Sequence, residues 1–338
     1  MPAQARGAPA TIKITDVAAE AGVAPMTVSR VINTPERVSP ETTARVKAAI
    51  EKLGYVPNLI AGGLSSRRSR MVAAIVPTIA HPMFAGLVQA FTDSMREAGY
   101  QVMLSLSGYD SPDDEALFRA LLGRRPDAML ITGAAYTPAA WQLLIEGRIP
   151  VVEVWELTAK PIDMIVGFDH AQLGATVAAY FLAKGHDRFM AFSAGDSRAL
   201  ARTRGFLAAA ERAGGSIVAV PPVPAPSTIA SGRAALRAVL PELGRRTALF
   251  CSSDQLAFGA MTEARIQGVA VPDRLAVCGF GNFELSAASD PPFTTVNIEG
   301  ATIGRRAAEM LLRRLAGEAA REPAHVQVPY AIVERGST

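Results

Sequence analysis

The chain has 338 residues and a net charge of +3, with 49% hydrophobic and 19% charged residues. That apolar content supports more than one large core. No apolar run reaches the roughly 18–20 residues of a membrane span, and the small, polar stretch 1–10 lacks the apolar centre of an export signal, so a cytoplasmic location is expected.

Residues 1–10 read as a loose tail. From Ile14 to Ala21, apolar residues at 14, 17, 18 and 21 have helical spacing, and Gly22 ends the run. A second helix is predicted from Pro25 to about Asn33, with proline at a first position where a missing N–H costs nothing. A third begins at the Ser39 cap and Pro40 and ends at Leu53, burying Val46, Ile50 and Leu53. Three short helices, the first two joined by a glycine turn, describe a helix-turn-helix unit. Residues 1–70 hold ten Lys or Arg against five Asp or Glu, whereas the rest of the chain is slightly acidic. A basic head is the footprint of a unit that meets phosphate.

After Tyr55-Val-Pro-Asn58, the segment Leu59–Leu64 carries Gly62 and Gly63 and leads into the basic linker Ser65–Arg70. Each glycine costs a helix about 1 kcal/mol relative to alanine, so this segment should fold only on a partner. From Met71 onward the pattern alternates. Strands are predicted at 72–76, 101–106, 128–131, 151–154, 164–166, 189–192, 217–220, 248–251 and 275–278, with helices such as 84–98, 113–122, 171–183 and 256–267 between them. This is the rhythm of parallel sheets covered by helices, and about nine strands suggest two α/β lobes. Ligands in such folds sit at the carboxyl ends of strands.

No GxSxG elbow, P-loop or HExxH occurs, and Gly279-Phe-Gly-Asn-Phe-Glu284 lacks the third glycine of a dinucleotide fingerprint. The four histidines (81, 170, 186 and 325) have no ligand-spaced neighbours. Cys251 and Cys278 lie in apolar stretches without a CxxC partner and read as core. No enzymatic activity, metal or cofactor is therefore expected. A sugar-binding protein without a DNA role is the alternative, and the basic head argues against it.

The strings Ile14-Thr-Asp-Val-Ala-Ala-Glu-Ala-Gly-Val23, Thr27-Val-Ser-Arg-Val-Ile-Asn33, Val38-Ser39 and Leu53-Gly-Tyr-Val-Pro-Asn58 resemble the head of the LacI/GalR family of bacterial regulators. Gly185-His186, Arg202-Thr-Arg-Gly-Phe206, Ser253-Asp-Gln-Leu-Ala-Phe-Gly-Ala260, Val271-Pro-Asp273 and Pro292-Phe-Thr-Thr295 resemble further landmarks in family order. Gly99-Tyr-Gln-Val-Met-Leu104, Pro150-Val-Val-Glu153 and Val166-Gly-Phe-Asp169 look most like the gluconate-repressor branch. The resemblance implies an all-α helix-turn-helix head on an α/β two-lobed domain like the periplasmic sugar-binding proteins. It divides the chain into a tail (1–10), a DNA-binding domain (11–57), a hinge helix and linker (58–70), and an effector-binding and dimerisation domain (71–338). The lobes of that domain are about 71–168 plus 298–326, and 169–297 plus 327–335. A homodimer, or a tetramer made of two, is implied on double-stranded operator DNA, with a small-molecule effector.

A recognition helix presents its first residues to the major groove, here Pro25, Met26, Thr27, Ser29 and Arg30. Arg30 suits bidentate contact with guanine, Pro25 and Met26 suit thymine methyls, and Thr15, Thr27, Ser29 and Asn33 suit phosphate. By resemblance, Asn58 starts the hinge helix and Leu64 wedges into the minor groove. For the effector, Arg202 occupies the family's cationic position. Phe84 is expected to form an apolar wall, Trp155 to stack on a sugar ring, and Glu153 to meet hydroxyls. His81, Ser253 and Asp254 are also expected at the ligand. Many sugar-responsive relatives carry Asp after Gly-Phe, where this chain has Gly281 and Asn282. Asn282 is therefore expected at the ligand, and loss of that carboxylate beside Arg202 favours an anionic effector such as a sugar acid.

Overall fold

The computed structural model describes residues 12–56, 68–79, 81–109, 114–133, 137–318 and 324–338. The described chain forms two compact units, meeting in sequence between Ser69 and Arg70.

The first unit is helical. Helix α1 (Ile14–Ala21) opens with the Lys13 N–H donating to the Asp16 carboxylate at 2.7 Å and ends at Gly22 in the left-handed region, φ 64°. That turn leads directly into α2 (Pro25–Asn33). Helix α3 (Pro40–Leu53) is capped by the Ser39 hydroxyl, which accepts from the Thr42 N–H at 3.3 Å. One apolar cluster holds the three together, with Val17, Ala18, Ala21, Val28, Val31, Val46 and Ala49 buried. Ile50 and Leu53 only half-bury, so the inner stripe of α3 centres on Val46 and Ala49, one turn earlier than their spacing suggests.

The second unit contains two six-stranded sheets. In chain order it runs β1 (Met71–Val76), α4 (Ala85–Glu97), β2 (Gln101–Leu106), α5 (Asp114–Leu122), β3 (Ala128–Thr132), α6 (Pro138–Glu146), β4 (Val151–Val154) and β5 (Met164–Gly167). It continues with α7 (His170–Ala183), β6 (Arg188–Phe192), α8 (Ser197–Arg212), β7 (Ser216–Ile217), α9 (Ile229–Val239), β8 (Thr247–Cys251), α10 (Asp254–Ile266), β9 (Leu275–Phe280) and α11 (Glu284–Ala288). Last come β10 (Thr294–Ile298), α12 (Gly300–Leu315), β11 (Ala324–Gln327) and β12 (Tyr330–Val333). The sheet orders are β11-β5-β4-β3-β1-β2 and β12-β10-β9-β8-β6-β7. All pairings are parallel except β10 with β12. The chain passes between sheets three times, after β5, β10 and β11. Strands such as Met71-Val-Ala-Ala-Ile-Val76 are apolar throughout because helices cover both faces.

Three strands escaped the sequence reading. β10, β11 and β12 are short, and β10 and β11 are interrupted by polar residues, so only their partners in the sheets give them a strand's place. Conversely, the strand expected at 217–220 stops at Ile217. The Val218 N–H still donates to the Phe189 carbonyl, but Pro221 and Pro222 offer no donor, and pairing resumes only at the Ala194–Val223 bridge.

An aromatic seam joins the lobes. Trp155 meets Phe84 at 5.4 Å and Phe168 at 5.9 Å between ring centroids, and Phe168 meets Phe280 at 6.2 Å. In the second lobe, α7 and α8 cross closely because Gly174 faces the Arg202 carbonyl and Gly205 faces the Ala171 carbonyl. A Cβ at either glycine would overlap that backbone, so this crossing fixes where α8 carries Arg202. Gly174→Ala should therefore destabilise the protein by about 1–3 kcal/mol through overpacking, read as a lower denaturant midpoint at an unchanged slope.

Candidate effector cavity and DNA-facing helix

A cavity opens between the lobes, lined by residues of both. Its walls follow the carboxyl ends of parallel strands, where a doubly wound sheet leaves a crevice. His81, Met83 and Phe84 follow β1, Tyr109 follows β2, and Trp155 follows β4. Ala194, Asp196, Arg198 and Arg202 follow β6, and Ser252 and Ser253 follow β8. Ser227 comes from the segment before α9.

Arg202 is the dominant charge. It is 3% exposed, and its Nε and Nη2 donate to the Ser252 carbonyl at 3.2 and 2.7 Å. Its guanidinium lies 4.2 Å from the Phe280 ring centroid, and Nη1 stands 3.5 Å from His170 Nδ1. Burial, with a smaller contribution from Arg198, lowers its pKa to about 10, so it remains a cation at neutral pH. Among the described residues, no carboxylate lies within the 4.0 Å of an ion pair. His81, also buried, is held down to about 4 by burial and by Arg202, so it is neutral at pH 7. The described charged lining is thus two guanidinium groups, on Arg198 and Arg202, and the single carboxylate of Asp196. That carboxylate caps α8 by accepting from the Ala199 N–H at 3.0 Å.

Polar groups surround these charges. The Ser227 and Ser253 hydroxyls share a 2.8 Å hydrogen bond, and Ser253 caps α10 by accepting from the Leu256 N–H at 3.3 Å. Trp155 is buried at φ 82°, and its indole Nε1 has no hydrogen-bond partner among the described residues. The arrangement suits a small molecule with a carboxylate for the guanidinium groups and hydroxyls for Asp196, the serines, Tyr109 and the indole.

His81, Phe84, Trp155, Arg202 and Ser253 come together here as the sequence suggests. Three expected ligand residues do not. Glu153 points to the other face of β4 from Val152 and Val154, and its Oε2 accepts from the Ile162 N–H at 2.6 Å. Strand alternation carries it away from the cavity. The Asp254 carboxylate is fully buried and ties α10 to the neighbouring backbone, accepting from the Phe283 N–H at 2.7 Å and from the Thr295 hydroxyl. Asn282 donates to Asn297 Oδ1 at 3.2 Å and accepts from Arg335 Nη2 at 2.8 Å, so its amide is engaged within the lobe.

The sequence reading overlooked Tyr109, Asp196, Arg198, Ser227 and Ser252. Arg198 was legible, since it stands four residues before Arg202 on one helix and so shares its face. Ser227 follows a proline-rich connector that carries no signal of its own.

In the helical unit, Pro25, Met26, Arg30 and Asn33 are exposed along α2, with Met26 at 64%. Thr27 and Ser29 are half-buried, and Thr15 is exposed in the first turn of α1. The exposed Asn33 amide, expected to meet phosphate, donates within the helix to the Ser29 carbonyl at 2.9 Å and the Ser29 hydroxyl at 3.3 Å. Asn58 and Leu64, with the hinge, lie outside the described residues.

A helix-turn-helix head joined to a two-lobed α/β domain with a cavity at its strand ends defines a ligand-responsive DNA-binding regulator. Residues 13–58 match the model for bacterial regulatory proteins of the lacI family, and residues 178–338 match that for a periplasmic binding protein-like domain. The chain is 32% identical to the transcriptional regulator GntR of Pseudomonas aeruginosa over 330 residues, covering 96% of this chain and 95% of the relative. It is 30% identical to GntR of Escherichia coli over 306 residues, or 90% and 92% of the two chains. A crystal structure of a LacI-family regulator from Silicibacter pomeroyi superposes with a TM-score of 0.89 at 31% identity, covering 96% of this chain and 99% of the other. The chain belongs to the LacI family of bacterial regulatory proteins. It is a DNA-binding transcriptional regulator and not an enzyme.

Glu153 permits a test of the lobe's electrostatics. Burial raises its carboxyl from 4.5 to about 7, against the opposing Ile162 hydrogen bond. The folded state therefore holds a proton that the unfolded state releases above about pH 4.5. Stability falls as pH rises from there to 7, and the full cost is present above 7. Glu153→Gln should raise unfolding stability by roughly 1–3 kcal/mol at pH 8 and leave it nearly unchanged at pH 4.5, as chemical denaturation at the two pH values would reveal.

Proposed function

We propose that this regulator is a homodimeric repressor that leaves a palindromic operator when a sugar acid, with gluconate the leading candidate, enters the interlobe cavity. In this reading residues 11–57 bind operator, 58–70 form the hinge, and 71–338 bind effector and dimerise. The observation that carries the effector class is the buried Arg202 guanidinium with no carboxylate beside it. Asp196 acts on that cation across the cavity without ion-pair contact, so it offsets the cost of burial only in part, and a ligand carboxylate offsets more through a charge-assisted contact. Two guanidinium groups line the cavity with the Asp196 carboxylate, an arrangement that suits a ligand carrying both a carboxylate and hydroxyls. The likeness to the two GntR regulators agrees with the gluconate-branch strings.

The effector acts only through different affinities for two states of the protein. Closure of the lobes on ligand respaces the two heads of the dimer and unseats the hinges. Arg30 reads a guanine, Pro25 and Met26 meet thymine methyls, and Thr15, Thr27 and Ser29 hold phosphates. Asn58 and Leu64 serve the hinge.

The test is fluorescence anisotropy of a duplex from the gene's own upstream region at fixed salt, with and without gluconate. Sequence-dependent binding weakened by gluconate supports the reading, whereas binding that gluconate leaves unmoved removes gluconate as effector. In the same assay Arg202→Met should abolish the ligand response while holding operator affinity within about twofold, because Met keeps the packing on Phe280 without the charge. Arg30→Ala should reduce discrimination between operator and scrambled duplex by about tenfold. Unchanged discrimination would remove Arg30 as a base reader.

A further inference from the structure

Arg198 is the second cation of the cavity, and its placement differs from that of Arg202. Arg202 is anchored within its own lobe by the Ser252 carbonyl and Phe280. Arg198 starts on the same helix, α8 of the second lobe, but its guanidinium reaches residues of the first. It lies 5.9 Å from the Phe84 ring centroid. Its Nη1 stands only 2.8 Å from where a Cβ would sit on Gly133, the residue directly after β3. Glu156 Oε1, also of the first lobe, is 3.4 Å from that same point. Gly133 holds φ 105°, a conformation side chains rarely adopt, and its missing Cβ is what admits the guanidinium. Arg198 is 9% exposed and lines the cavity, and it forms no ion pair among the described residues.

We infer that Arg198 is the specificity-determining residue that couples an effector's carboxylate to closure of the lobes. This inference rests on the sugar-acid reading above. Arg202 supplies a fixed cation on one wall, while Arg198 spans the cleft. A carboxylate seated between them is held by a group that already touches the opposite lobe, so the closed arrangement gains a charge-assisted contact that a neutral polyol cannot supply. Discrimination between a sugar acid and its alcohol then resides in Arg198 together with Arg202, and the link from ligand charge to lobe closure resides in Arg198 alone.

The experiment compares the full-length wild type with Arg198→Gln and Arg198→Lys. Calorimetric titration uses gluconate and its neutral counterpart glucitol, and a pair of spin labels, one per lobe, reports interlobe distance. In Arg198→Gln the gluconate-over-glucitol preference should fall by about tenfold or more. Gluconate should no longer narrow the distance distribution, and Arg198→Lys should restore part of both. Preserved preference and preserved narrowing in Arg198→Gln overturn the inference. If the wild type itself does not bind gluconate, the gluconate reading fails separately, and Arg198 is judged on the ligand-free protein. A distance distribution broadened by Arg198→Gln supports the cross-lobe contact, and an unchanged one overturns it.

Discussion

The organisation of the ligand-binding unit turns on one buried cation. Arg202 sits almost out of solvent, its guanidinium resting on Phe280 and donating twice to the Ser252 carbonyl. A carbonyl oxygen satisfies donors but does not neutralise charge. The lobe thus keeps a desolvated cation facing a cavity, and burial, reinforced by its field, holds His81 and His170 neutral. The close glycine-mediated crossing of α7 and α8 makes this possible, since it fixes the helix that carries the arginine.

Other buried charges in the same unit have different work. Asp254 is completely enclosed, yet its oxygens accept from Phe283 and Thr295, so it fastens α10 to β10 and to the loop after β9. Glu263 lies beneath Arg233 and Arg237, with its pKa lowered to about 2 by hydrogen bonds from Arg237 and Gln267. These carboxylates are paired or hydrogen-bonded within one lobe. The cavity cations face open space between lobes, and that asymmetry separates a ligand site from internal fastening.

The aromatic seam gives the lobes a shared apolar floor. Phe84, Trp155, Phe168 and Phe280 come from loops and strand ends far apart in sequence, and their ring contacts join both sheets into one core cluster. Both cavity arginines rest on this floor, Arg202 over Phe280 and Arg198 near Phe84.

The head helices, the alternating α/β rhythm and the position of Arg202 were legible in the sequence, because each rests on local chemistry: helical spacing, a glycine or proline at a helix end, an apolar run of strand length. Glu153, Asp254 and Asn282 show where that reasoning stops. Each lies in or near a family landmark, but a one-residue shift along a strand reverses the face, and a buried side chain turns to whichever donor the neighbouring strand presents. The late strands β10 to β12, the serine pair Ser227–Ser253 and the reach of Arg198 to Gly133 depend on residues brought together from distant parts of the chain. Sequence alone determined the head helices, most of the parallel strands and where charge accumulates, since those follow from short-range spacing. Only the tertiary structure decided which side chains share a cavity, since that depends on how two sheets and their crossing helices face one another.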